Sequence, residues 1–493
     1  MPNKFSRKNF ITLTTLAGAG LILDACGAGG ERGEKERGES SEELADSTNR
    51  LDEQKEFTYS VKLIRKEDIE YEVLRKGFNK RINKYPLIIA LCTSTKDVSE
   101  AIQYAKINKL AVAIKSGGHS MEGFSSNDGG LVINLSKMNS VEFLENNTIK
   151  VGPCCTLSNL YDQILPKKRL LPAGSCGTVG IGGLTMGGGY GLFSRKFGLT
   201  CDHLMEATFV DGNGKIQSTN DDPELLWALR GGGAGNFGVV TEMVFRTQEA
   251  PAVMRSYHFK ARKLDAKRAK NILEKWFEFT SKLSETCFSA FVLNGSTLNI
   301  LVTNFGEHNS NLENNLKELA LHTDEFRSVA PIELSKKLKN YYGSLVPVNF
   351  KNSSAGLYKS YNDISGFIAD VFEKIIHSPG MIYQLNTLGG KINDAEFEKV
   401  SCYPHRVYNY ISELQAYWED PAHEEKLNNV SVEILDIFKS NGITSQYINY
   451  CSTEFSNWEN AYYGNNYPRL QEVKKKYDAS DVVRYAQSVR VNL

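Results

Sequence analysis

The chain has 493 residues, with 58 basic and 58 acidic side chains and a formal net charge of zero. That balance leaves no electrostatic footprint for nucleic acid or for an anionic membrane surface. With 41% hydrophobic and 24% charged residues the composition is that of a globular protein, long enough for roughly two to four cored domains.

The first fifty residues differ from the rest. Lys4, Arg7 and Lys8 precede an apolar run from Phe10 to Leu23. The run is too short to span a bilayer comfortably, and 1–25 reads as a secretory signal. Cys26, closing Leu23-Asp24-Ala25-Cys26, resembles the acylated cysteine of a bacterial lipoprotein, with Asp24 where a small or uncharged residue is usual. Ser6-Arg7-Lys8-Asn9-Phe10-Ile11 resembles a twin-arginine export signal with Lys8 in place of the second arginine. Residues 26–55, rich in Gly, Glu and Ser, cannot build a core and read as a disordered tether. The expected location is therefore the bacterial periplasm or cell surface, with a lipid anchor at Cys26.

Further along, Leu87 to Cys92 is a short apolar run, Asp97 to Asn108 carries apolar residues at helical spacing, and Leu110 to Ile114 is a second buried-strand candidate. Strand, helix, strand predicts a βαβ unit. Leu131 to Leu135 and Thr148 to Gly152 read as further strands. A helical stretch around Leu225 to Leu229 precedes a strand at Val239 to Thr241. Beyond residue 250 the pattern mixes amphipathic helices, such as Ala266 to Leu283, with strands, such as Thr297 to Phe305. Gln384 and Asn386 lie one strand repeat apart, so they share a face. A last helix is predicted over Tyr467 to Lys476.

Of the nine cysteines, none stands in a CxxC or Cys/His metal pattern, so no metal site is expected. The adjacent Cys154 and Cys155 read as two buried or half-buried thiols, and any disulfide pairing is open.

Two glycine-rich segments carry the chemistry. Ser116-Gly117-Gly118-His119-Ser120 leaves a buried strand in a turn whose exposed N–H groups suit a pyrophosphate. In residues 174 to 191 nine of eighteen positions are glycine, against an average of roughly 7%. The segment is no Walker loop, because no Gly-Lys-Ser/Thr follows. A G-x-G-x-x-G pattern at Gly233, Gly235 and Gly238 follows a helix rather than a strand, which excludes a Rossmann reading there. So much glycine costs backbone entropy, and close approach to a large flat ligand is a compensating reason.

Taken in order, these motifs resemble one family. They are Ser116 to Ser120; Gly174-x-Cys176-x-x-Val179-Gly180-x-Gly182-Gly183; Gly187 to Gly191; Arg195-x-x-Gly198-Leu199-x-x-Asp202; and Leu226 to Gly231 with Asn236-Phe237-Gly238-Val239-Val240-Thr241. The tail Tyr462 to Leu470, ending in Lys476-Tyr477-Asp478, fits as well. The chain resembles, over roughly residues 70 to 490, the berberine-bridge-enzyme-like family of FAD-linked oxidases, within the vanillyl-alcohol-oxidase, or PCMH-type, superfamily.

The resemblance implies an α+β fold. A two-part PCMH-type FAD-binding domain (70–250) would be joined by a central antiparallel-sheet substrate domain backed by helices (251–445), and completed by a C-terminal segment (446–493). It implies FAD bonded to His119 and Cys176, and lining by Ser116, Gly117, Gly118, Ser120, Val179, Gly180, Gly182, Gly183, Asn236, Phe237, Gly238 and Val239. A lone histidine is usually a satisfied core residue and a lone cysteine a small hydrophobe; here each sits at the family's position in its own glycine motif. The family's base matches Tyr447, in a Tyr447-Ile448-Asn449-Tyr450 strand, with Tyr190, Gln384, Asn386 and Asn449 beside it. A tyrosine, with an ordinary pKa near ~10, needs cations or hydrogen bonds to serve as a base. Many relatives carry a tyrosine two residues after the flavin histidine, where this chain has Met121. Valine at position 179 tends to accompany use of oxygen.

The function implied is FAD-dependent oxidation of an alcohol or carbohydrate hydroxyl, with O2 reoxidising the flavin to give hydrogen peroxide and a small molecule as substrate. The alternatives are a dehydrogenase with another acceptor, a natural-product tailoring oxidase and, in a different class, a non-catalytic binding lipoprotein.

Overall fold

A computed structural model describes residues 59–491 of the chain. The segments expected to be a signal (1–25) and a tether (26–55), with Cys26, lie outside the described residues. The N-terminal half builds two sheets. The first contains β1 (Lys62–Ile64), β2 (Ile88–Leu91), β3 (Val112–Lys115) and β4 (Leu131–Asn134), in the order β1-β2-β4-β3. The βαβ unit is present, and β4 slots between its two strands, parallel to both.

The crossover helix Thr95–Ile107 starts where the sequence dictates. Ser94 Oγ accepts from Asp97 N at 3.1 Å and Asp97 Oδ2 accepts from Ser94 N at 3.1 Å, a reciprocal cap that satisfies two otherwise orphaned N–H groups. Its Val98, Ala101, Ile102 and Ala105, at helical spacing, pack on the sheet with Ile88, Val112 and Leu131. Each fully buried Val or Ile contributes about 1.5–3 kcal/mol.

The second sheet holds β5 (Val141–Phe143), β6 (Thr148–Val151), β8 (Leu204–Asp211), β9 (Ile216–Ser218) and β10 (Gly238–Arg246), in the order β5-β6-β10-β8-β9. Two short strands, β7 (Arg169–Leu170) and β11 (Gln248–Glu249), pair as a ribbon.

The middle of the chain forms one antiparallel sheet of seven strands. They are β12 (Val253–Ala261), β13 (Cys287–Asn294), β14 (Thr297–Asn304), β15 (Glu325–Glu333), β16 (Asn349–Tyr358), β17 (Met381–Thr387) and β18 (Tyr410–Trp418), in the order β15-β12-β14-β13-β17-β18-β16. Helices Ala266–Thr280, Ile368–Ile376 and Glu424–Ser440 cover one face, where Trp276, Val371, Phe372, Ile434 and Phe438 pack on Phe291, Tyr383, Leu385 and Leu414. The strand period of two sends Phe288, Ala290, Val292 and Ile382 to the other face, into the core shared with the N-terminal half. Gln384, Asn386 and Glu413 share that parity.

The tail returns to the first sheet. Val112 N donates to Val482 O at 2.8 Å and Arg484 N to Val112 O at 3.1 Å, so Val482 and Val483 extend the sheet beyond β3. Buried Lys474, in the helix Tyr467–Asp478, fixes that return by donating to Asp478 Oδ2 and Val483 O, each at 2.7 Å. This is the α+β architecture implied above, its FAD domain completed by the C-terminal segment.

Candidate active site

A cavity of about 320 Å³ lies where the two N-terminal sheets, the seven-stranded sheet and the tail converge. Against the first sheet its lining is apolar, with Val112, Ala113, Ile114 and the neighbouring Leu135; against the seven-stranded sheet it carries Gln384, Asn386 and Glu413. Among the described residues no lysine or arginine lines it, so an anionic group inside would depend on backbone N–H donors.

The glycine segments cross at this cavity. As β3 ends, Ser116 Oγ donates to Pro153 O at 2.6 Å and fixes the start of the turn. Gly117 and Gly180 then meet backbone to backbone. A Cβ on Gly180 would lie 2.7 Å from Gly117 N, and one on Gly117 would collide with Gly180 N, so neither tolerates a side chain. Gly183 also lines the cavity, yet a Cβ there would meet nothing within 4 Å. The first pair is glycine for packing; Gly183 leaves open space. Not all of 174 to 191 is turn, since Ile181–Met186 coils into a short helix.

His119 and Cys176, 57 positions apart, line this one cavity. The His119 ring stacks on Phe78, centroids 4.1 Å apart at 20°. Burial lowers its pKa to about 4 against a hydrogen bond to the Thr178 carbonyl, so the imidazole is neutral at pH 7. Cys176 Sγ lies 3.7 Å from Thr178 Oγ1, and burial pushes its thiol above the ordinary value. Cys154 and Cys155 are free, half-buried and buried respectively.

The outer wall is a connected set of hydrogen bonds. Gln415 Nε2 donates to Gln384 Oε1 at 3.2 Å, Gln384 Nε2 to Asn386 Oδ1 at 3.1 Å, and Asn386 Nδ2 to the Tyr190 hydroxyl at 3.0 Å. The Tyr190 and Tyr450 hydroxyls are 2.6 Å apart. Glu413 closes the set, accepting from Gln415 Nε2 at 2.9 Å and Asn352 Nδ2 at 3.1 Å and bonding Tyr450. Burial pushes the Glu413 carboxyl up to about 7 despite those bonds.

Three expected lining residues are elsewhere. Asn236 is buried beside the cavity and braces the tail: its Nδ2 donates to Gly232 O at 2.7 Å and its Oδ1 accepts from Val489 N at 2.9 Å. Phe237 and Val239 point into two different hydrophobic cores. Of that stretch only Gly238, at the start of β10, reaches the cavity, because a strand shows alternate residues to opposite faces. The remaining expected positions (Ser116 to Ser120, Cys176, Val179, Gly180, Gly182, Gly183, Tyr190, Gln384, Asn386, Tyr447 and Asn449) all border it, as does Met121.

The expected strand at Tyr447 to Tyr450 is instead a 3₁₀ turn, Ile448–Tyr450. In such a turn residues i and i+3 align, which brings Tyr450 to the same side as Tyr447. The Tyr447 hydroxyl accepts from Gly189 N and Asn449 Nδ2, each at 2.9 Å, but burial outweighs these bonds and raises its pKa. Sequence reasoning missed Glu413, Gln415, Asn352 and Tyr450 as site residues. Glu413 and Gln415 did leave a signal: polar residues two apart in the otherwise apolar strand Tyr410–Trp418.

The cavity fits FAD on its own terms. It is apolar against the first sheet and polar against the seven-stranded sheet, bordered by glycine backbone at Gly180, Gly182 and Gly183, and by a neutral imidazole and a thiol. Residues 86–220 match the FAD binding domain family, and residues 446–490 match the family described as berberine and berberine like. An uncharacterized FAD-linked oxidoreductase of Bacillus subtilis (strain 168), YvdP, is 30% identical over 457 residues, covering 87% of this chain and 97% of the relative. The chitooligosaccharide oxidase of Gibberella zeae is 27% identical over 443 residues, covering 84% of this chain and 89% of the relative. Among solved structures, wild-type BBE-like 1 of Physcomitrella patens shares the fold, with a TM-score of 0.81 at 22% identity over 88% of this chain and 98% of that one. The chain is an FAD-linked oxidoreductase and belongs to the berberine-bridge-enzyme-like family of the PCMH-type superfamily.

Proposed function

We propose that this enzyme oxidises a hydroxyl of a carbohydrate or another alcohol to a carbonyl, with FAD joined covalently to His119 and Cys176 and O2 as the final acceptor, giving hydrogen peroxide. The observation that carries the reading is the hydrogen-bonded wall of Tyr190, Asn386, Gln384, Glu413 and Tyr450 in the same cavity as His119 and Cys176. When bound, FAD supplies the two-electron acceptor that no side chain provides.

The chain's own residues do the rest. Backbone N–H groups of the glycine turns hold the pyrophosphate, and His119 and Cys176 tether the ring. The amides of Gln384 and Asn386 orient substrate hydroxyls. Among the described residues Glu413 is the only carboxylate lining the cavity; with its carboxyl pushed up to about 7 it is matched to taking a proton near neutral pH. Tyr450, bonded to Glu413 and 2.6 Å from Tyr190, passes the substrate proton to it. Tyr447, its oxygen already accepting two N–H bonds, orients rather than titrates.

The kinship with a chitooligosaccharide oxidase supports a carbohydrate substrate. Val179 on the cavity wall supports access for oxygen. From residues 1–26 we further propose export and a lipid anchor at Cys26. The test of the reaction is a screen of sugars, oligosaccharides and alcohols for peroxide release and for bleaching of the flavin spectrum. Bleaching without peroxide, with slow reoxidation in air and fast reaction with a quinone, makes the enzyme a dehydrogenase. No bleaching by any hydroxyl compound overturns the substrate class.

A further inference from the structure

His119 is held from outside its own loop. Residues Gly77 to Arg81 form a strap between the His119 turn and the substrate sheet. On one side Phe78 N donates to Gly118 O at 2.9 Å, and Gly77 sits so close to that carbonyl that a Cβ would lie 2.8 Å from it. On the other, Val348 N donates to Phe78 O at 3.2 Å and Lys80 N to Val348 O at 2.9 Å. Buried Asn79 spends both amide hydrogens across the same gap, on Met121 O at 3.1 Å and Phe350 O at 2.9 Å. Arg81 Nη2 donates to Met121 O at 3.0 Å and pairs with buried Glu122 at 2.7 Å. The strap therefore has little freedom, and neither does the Phe78 ring that it presents to His119.

The imidazole is thus restrained twice: its plane by the Phe78 stack, and one of its nitrogens by the Thr178 carbonyl. Only the other nitrogen keeps a free lone pair. We propose that Phe78 is the positioning residue for covalent attachment at His119, its strap-pinned ring holding the imidazole so that this one nitrogen meets the flavin methyl carbon. The inference rests on the covalent tether proposed above. Attachment forms one N–C bond, breaks one C–H bond of the methyl group and releases the imidazole N–H proton. The two electrons and two protons leave to O2 as hydrogen peroxide. A side chain that fixes the attacking nitrogen accelerates this step by orientation alone, and losing that orientation costs roughly 10- to 100-fold.

The experiment follows His119-linked flavin by peptide mass mapping after FAD is added to full-length protein purified from riboflavin-limited cells. Wild type, Phe78→Leu and Phe78→Tyr are compared, each with Cys176 intact. In Phe78→Leu the His119 peptide should acquire flavin roughly 10- to 100-fold more slowly, while the Cys176 peptide acquires it at the wild-type rate and so reports an intact fold and site. Phe78→Tyr, which keeps the stacking ring, should restore the His119 rate. Equal His119 rates in Phe78→Leu and wild type overturn the proposal alone. So do equal losses in Phe78→Leu and Phe78→Tyr, or parallel losses at both peptides. A wild-type protein with no flavin on the His119 peptide overturns the tether and this proposal together.

Discussion

Tyr190 and Tyr450 are 260 positions apart, and their hydroxyls meet at 2.6 Å on the wall of the FAD cavity. One belongs to the glycine-rich segment of the FAD domain and the other to the tail that completes it. Through Tyr450 the pair reaches Glu413 on the substrate sheet. The proposed proton path would therefore use all three parts of the chain.

Glu413→Gln should keep its flavin and lose about 10²–10⁴-fold in the rate of flavin reduction by substrate, the scale of general-base removal. In the wild type that rate should rise with pH and level off above about 7, because Glu413 accepts a proton only when ionised and its carboxyl is pushed up to about 7 by burial. Stopped-flow reduction across pH reads both. A flat profile in the wild type removes Glu413 as the acceptor.

The same burial has a stability consequence. Between the ordinary carboxyl value of 4.5 and about 7 the folded protein holds this proton while the unfolded chain has released it, so folding loses stability as pH rises through that window. Glu413→Gln should gain Tm relative to wild type at pH 8 and lose that advantage at pH 4. Differential scanning calorimetry of the two proteins at both pH values checks the sign.

The tyrosines should separate. Tyr450→Phe breaks the link between Tyr190 and Glu413 and should lower the reductive rate by roughly 10²-fold, within the range for a lost proton-transfer group. Tyr447→Phe removes an acceptor for two N–H donors and should cost less. A larger loss in Tyr447→Phe restores Tyr447 as the base.

Covalent flavin should survive acid and denaturant. His119→Ala and Cys176→Ala should each leave one bond, and the double variant should release all its FAD to the supernatant. Flavin fluorescence of denaturing gels, with the supernatant spectrum, reads this; free FAD from denatured wild type removes the tether.

The glycines divide into two kinds. Gly117→Ala forces backbone against backbone and should destabilise by about 1–3 kcal/mol, the cost of overpacking. Gly183→Ala meets no protein atom within 4 Å and lies in a helix, so the FAD-free protein should gain about 0.5–1 kcal/mol while flavin content falls. Denaturant melts and flavin-to-protein absorbance ratios distinguish the two.

What the sequence determined by itself was local. The Ser94–Asp97 cap set the start of a helix, the apolar periods set the strands of the first sheet, and the glycine turns set apart His119 and Cys176, because each of these depends on neighbours a few residues away. Tertiary structure alone decided the rest. Gln384, Asn386 and Glu413 face the cavity only because the sheet buries both its faces, which hides polar residues within apolar strands. The resemblance implies that Asn236, Phe237 and Val239 line the cavity, whereas the tail holds Asn236 through Val489 and Phe237 and Val239 pack in two cores. Tyr450 entered the site because four residues that read as a strand wound into a 3₁₀ turn. Phe78 reached His119 because a strap 41 positions earlier in the chain is hydrogen-bonded to both domains at once. Such contacts depend on where distant segments are brought together, and that is fixed by the packing of the whole chain rather than by any local period.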